Sequence, residues 1–215
     1  VNLAFDIFQG VGIAAAAGIR PFLPGVVASG LALAKVQIHF DRPTFRTSGG
    51  PGVRSGVVSH STFHFLQQAP FLIIMAVLAL ALIGVEASTR GKDVDTGPGS
   101  WFSAACGAAV GALVFAGVLC QHGDAWWPGI IGGIVFAALG FLCFRPFLVR
   151  LRTRLDTEAA SLGVPLVAEG AALVVALASA LAPPAGVVAI VGLLVFRYLG
   201  RGRSDQKYAG LRILR

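Results

Sequence analysis

Residues Gly10 to Leu33 read GVGIAAAAGIRPFLPGVVASGLAL, two runs of small and apolar residues that meet at Ile19-Arg20-Pro21-Phe22-Leu23-Pro24. Upstream, from about Leu3 to Ile19, the only ionisable residue is Asp6; downstream, Phe22 to Ala34 has none. Hydrocarbon is the natural solvent for both runs. One continuous helix from Leu3 to Ile38 would extend roughly 54 Å at 1.5 Å per residue, far beyond a hydrocarbon layer of about 30 Å, so the chain must turn back. Pro21 and Pro24 each remove an N–H and disfavour helix at the residue before them, which puts the turn at Arg20–Pro24.

The whole chain has the same character. Of its 215 residues 56% are apolar and 13% charged, and the mean hydropathy is +0.80, whereas soluble domains run near a quarter charged. A polytopic integral membrane protein is expected, with one transmembrane domain over 1–199 and a basic tail over 200–215. The net charge of +7 comes from basic clusters between apolar runs. Anionic lipid headgroups and the positive-inside rule account for such clusters, and nucleic acid is the poorer explanation. A bacterial cytoplasmic membrane, with the tail on the cytoplasmic side, is the expected location. Cys106, Cys120 and Cys143 form no CxxC pair and argue against a disulfide framework or a cysteine metal site.

Outward from the opening hairpin, 3–38, a polar loop over 39–68 ends in a stretch, 57–68, that reads as a short interfacial helix. Helices follow at 69–86, 101–119 and 127–144, the last two carrying Gly107xxxGly111 and Gly129xxxGly133 for close antiparallel packing. A basic amphipathic stretch, 145–158, leads to a second apolar region, 165–196, broken at Pro183-Pro184. At roughly 48 Å it too exceeds one crossing.

The two broken regions correspond at a constant offset: Gly10 to Gly170, Ala16 to Ala176, Pro24 to Pro184, Val27 to Val187 and Leu33 to Leu193. With three spans between them they would face opposite sides, as an inverted repeat requires. The fold class is therefore an all-α polytopic membrane protein, with two proline-broken hairpins in an inverted repeat around about three full transmembrane helices. Two forms of the hairpins stay open. Re-entrant hairpins would bring the two turns together near the midplane, around protein or a watered cavity. Full spans with surface turns would give seven helices, with Arg20 snorkelling to headgroups.

Arg20, on a proline-fixed turn beside exposed helix ends, is a candidate ligand for phosphate or carboxylate, with Pro21, Pro24, Pro183 and Pro184 shaping the site. Arg145 has a similar setting, Phe144-Arg145-Pro146-Phe147-Leu148, but its basic neighbours favour a surface position. Asp6, Glu86 and Glu169 are the acids nearest to or inside apolar runs and are candidate proton carriers or counter-ions for an arginine; helix-start carboxylates are the ordinary alternative for Asp6 and Glu169. His60 and His64 share a helix-face spacing and are weak metal candidates, interfacial polar histidines being the plainer reading. No Ser/His/Asp, GxSxG or HExxH arrangement is present, so neither an enzyme nor a cofactor is expected.

The segment Gly12-Ile13-Ala14-Ala15-Ala16-Ala17-Gly18-Ile19-Arg20-Pro21-Phe22-Leu23-Pro24 resembles the opening signature of an uncharacterised family of small bacterial and plastid integral-membrane proteins, a domain of unknown function with a Gly-(Ile/Leu)-Arg-x-(Phe/Tyr)-Leu-Pro core. The resemblance implies a membrane fold and no activity. In layout alone the chain is similar to DedA-type lipid-carrier translocases. The expected function is a transporter or lipid translocator for an anionic solute or phosphorylated lipid, with proton coupling through Asp6 or Glu169. The rival is a non-catalytic subunit of a membrane complex. Expected partners are membrane lipids, an anionic ligand or phospholipid headgroup, and a second copy or a membrane-complex partner.

Overall fold

The alanine and glycine run that opens the chain forms helix α1, Asn2–Ile19, and its small side chains let four other helices approach its backbone. The computed structural model describes residues 2–36, 38, 40, 44–47, 56–59, 63–88, 98–121, 125–152, 154–155 and 157–209. For 2, 44–47, 56–59, 87, 98, 157–162, 196 and 199–209 it describes the backbone alone. After α1 come α2, Leu23–Leu33, a two-stranded antiparallel ribbon of β1, Thr44–Thr47, and β2, Gly56–Ser59, and a 3-10 turn, His64–Gln67. Then follow α3, Ala69–Ser88, α4, Pro98–Cys120, α5, Trp127–Arg152, α6, Thr157–Leu181, and α7, Pro183–Ala209. Among the described residues, four helices (α3 to α6) are long and apolar enough to cross a membrane.

The break at Arg20–Phe22 lies where the two prolines put it. Pro24 sits in the first turn of α2, where its missing N–H costs nothing. At the other end of α2, Lys35 takes a positive φ of 56°, and the N–H groups of Lys35 and Val36 bond back to Ala32 and Leu31. This is a Schellman stop with lysine in the place that glycine usually fills. At 11 residues, α2 reaches only about 17 Å.

Contacts along α1 define the packing. Gly10 faces Phe115 and Gly18 faces Gly107, so α4 runs antiparallel to α1. Gly129 against Ala116 and Gly133 against Ala112 make α5 antiparallel to α4, and Gly18 and Gly140 touch the carbonyls of Ala137 and Ala15 where α5 crosses α1. The α6 helix is antiparallel to α1: Gln9 meets Ala180, Ala16 shares a cluster with Ala176, and Arg20 meets Glu169. Under the offset that relates the two broken regions, Gln9 corresponds to Glu169 and Arg20 to Ala180, so the Gln9–Ala180 and Arg20–Glu169 contacts exchange with one another. The α7 helix starts against Phe8–Gly12 at Gly186 and reaches the cluster around Ile19 at Leu193.

Several boundaries differ from those read in the sequence. The α5 helix continues through Pro146 to Arg152 instead of ending near 144. Pro146 has no N–H for the Leu142 carbonyl four residues earlier, and the Arg197 guanidinium of α7 donates to that carbonyl instead. Likewise Pro184 gives the Ala180 carbonyl no N–H, and Gln9 Nε2 donates to it at 2.9 Å. The α6 helix begins at Thr157 and runs through Pro165, and α7 extends past 196 into the expected tail, to Ala209. Of the stretch 57–68, residues 57–59 belong to β2 and 64–67 to the 3-10 turn, where an interfacial helix was expected; the β-branched Val57 and Val58 pair with Arg46 and Phe45, and 60–62 lie outside the described residues.

The tight backbone contacts set a test. Gly18→Ala would put a methyl 1.8 Å from the Ala137 oxygen, and Gly140→Ala 2.1 Å from the Ala15 oxygen. Each is expected to cost about 1–3 kcal/mol in thermal unfolding in detergent. Gly84→Ala and Gly192→Ala, whose new methyls meet nothing within 4 Å, are expected to leave the midpoint unchanged.

Candidate functional site

Arg20 caps the last turn of α1, its N–H bonding to Ala16 O at 3.0 Å, and the proline after it stops the helix there. Its side chain does not reach out to water; the residue is 3% exposed. Nη1 and Nη2 donate to the two carboxylate oxygens of Glu86, the second at 2.8 Å. Glu86, fully buried, sits near the end of α3. From α6, Glu169 Oε1 stands 3.7 Å from Arg20 Nε. Among the described residues, Arg20 Nε and Glu169 Oε2 are buried with no hydrogen-bond partner.

Three elements thus bring one guanidinium and two carboxylates together. The fork of Arg20 and the carboxylate of Glu86 match in plane and charge, the strongest form of charge-assisted pairing. The second carboxylate leaves the group with one excess negative charge when both acids are ionised, and burial makes that charge costly unless a proton or a cation neutralises it. The same cluster fastens α3. That helix packs on α2, α6 and the 3-10 turn, and most of its apolar surface is not covered by protein. Its one fully buried polar side chain is Glu86.

The remaining sequence candidates lie elsewhere. Asp6, the fifth residue of α1 and just past its first turn, is buried and accepts a hydrogen bond from Gln121 Nε2 at 2.6 Å. Pro183 and Pro184 stand at the level of Phe8–Gly12. Gln9, which meets Ala180 there, is eleven residues from Arg20, about 16 Å along α1. The two proline breaks therefore do not meet, and Pro183 and Pro184 stand apart from Arg20. His64 pairs with Gln67 at 2.8 Å, His60 lies outside the described residues, and among the described residues no cluster of three metal-ligating side chains occurs. Sequence reading passed over Gln9 and Gln121. Their signal was a lone amide in, or at the end of, an otherwise apolar run.

Beside the Arg20 cluster, between α1, α4 and α5, is a small open recess of about 20 Å³, room for about one water. Arg20, Ser103, Phe141, Phe144 and Arg145 line it, with Gly18, Ile19 and Leu148. Comparison with protein-family models, with curated proteins and with solved structures finds no match to this chain.

A double-mutant cycle tests the pairing. Arg20→Gln or Glu86→Gln alone leaves a buried charge without its partner and is expected to cost about 3–5 kcal/mol in detergent unfolding. The double variant is expected to be less destabilised than the sum by at least about 1 kcal/mol; additive effects would show that the two side chains do not interact.

Proposed function

We propose that this chain is a proton-coupled membrane transporter or lipid translocator for an anionic solute or phosphorylated lipid, with Arg20 as the anion ligand and Glu86 and Glu169 as its competitors. The observation that carries the reading is a buried guanidinium shared between carboxylates of two other helices, next to a recess that the same arginine lines. Intramembrane ionisable groups are costly and cluster on transport routes. In this reading a proton neutralises Glu169, Arg20 turns from it to the anion, and loss of the proton returns it.

The two broken regions act as an inverted repeat. The exchange of the Gln9–Ala180 and Arg20–Glu169 contacts under one offset supports this, as does the antiparallel course of α1 and α6. With α2 short of a full crossing, the first hairpin is re-entrant from the side to which α2 returns. The DedA-like layout agrees with a translocator. A second reading, a non-catalytic membrane subunit, is favoured by one observation: Glu86 already satisfies both Nη groups of Arg20, as a purely structural lock would.

Uptake of labelled anions by proteoliposomes separates them. Arg20→Gln is expected to abolish uptake. Wild-type uptake is expected to rise as pH falls, and because neutral glutamine mimics a protonated acid, Glu169→Gln is expected to remove that rise. Uptake unchanged by Arg20→Gln, together with a stoichiometric protein partner in mild detergent, would favour the subunit reading.

A further inference from the structure

The chain contains Arg-Pro-Phe-Leu twice, at Arg20–Leu23 and Arg145–Leu148. One copy breaks α1; the other lies within α5, where Arg197 takes over the carbonyl that Pro146 cannot serve. Although 125 residues apart in the chain, the two arginines line the same recess. Ser103 of α4 adds a hydroxyl, and none of the residues lining the recess is acidic. The Arg145 guanidinium carbon lies 5.4 Å from the centre of the Phe141 ring, an arrangement that holds a guanidinium over an aromatic face. Phe144 and Leu148 give the recess an apolar side.

We infer that Arg145 is the second cation of the anion site and that the ligand is a phosphoryl oxyanion, the inference resting on the transport reading above. A singly charged anion needs one guanidinium. A tetrahedral phosphate carries up to two charges on oxygens directed apart, which two arginines from separate helices can take from two sides. Arg145 lies close to the end of α5, past most of its apolar length, a position that a lipid headgroup phosphate and a free phosphate can both reach.

The test uses the purified full chain in nanodiscs of neutral phosphatidylcholine, with labelled inorganic phosphate as one probe and phosphatidic acid added to the disc as the other. Wild type is expected to bind one of them, and that probe identifies the source. Arg145→Gln is expected to weaken its binding at least tenfold, and Arg145→Lys to recover only part of the loss, since lysine keeps the charge without the fork. Phosphate or phosphatidic acid is also expected to protect Arg145 of the wild type from phenylglyoxal, a readout that requires no variant to fold. If Arg20→Gln abolishes binding while Arg145→Gln changes it less than twofold and Arg145 is not protected, the second-cation inference is overturned and the transport reading survives. If the wild type binds neither probe yet transports another anion through Arg20, the phosphoryl assignment alone is overturned. If it binds and transports no anion, both fall.

Discussion

Helix α1 is enclosed by α4, α5, α6 and α7 at distances that only glycine and alanine permit. An added methyl at Gly18, Gly107 or Gly140 would fall within about 2.5 Å of a backbone oxygen on the neighbouring helix. In lipid no hydrophobic force sorts one apolar helix face from another, so close backbone approach and van der Waals contact have to select the arrangement. The rest of the structure follows from this enclosure. It buries the carboxyl end of α1, and with it the guanidinium that the break at Pro21 leaves there.

A buried guanidinium must find its neutralising partner within the protein. Glu86 reaches it from α3 and Glu169 from α6, so charge ties together helices that apolar packing alone holds loosely. The α3 helix gains most from this, since little of its apolar surface meets other helices. The cluster holds two acids against one cation, so its charge balances only when a proton or another cation is present.

The prolines act through the carbonyls that they leave without helical partners. Inside a membrane domain those carbonyls must be served by protein. Leu142 O is taken by Arg197 and Ala180 O by Gln9, so two of the proline positions are also cross-links between helices. This explains why polar side chains such as Gln9 and Arg197 stand in regions otherwise built from alanine, valine and leucine.

Much of the architecture was legible in the residues themselves. Apolar runs too long for one crossing, interrupted by Pro21, Pro24, Pro183 and Pro184, determined that the chain is a helical membrane protein and where two of its helices must break, because hydropathy, length and the missing proline N–H are local properties. The acids near apolar runs were also recognisable as counter-ions for an arginine. Tertiary structure alone decided that Glu86 and Glu169, not Asp6, face Arg20, that the two proline breaks stand apart along α1, and that Arg20 and Arg145 line one recess. The physical reason is that a helix surface of glycine and alanine can slide through several packing registers of similar composition. Only the fit of every backbone around α1 selects the register that sets these distant side chains beside one another.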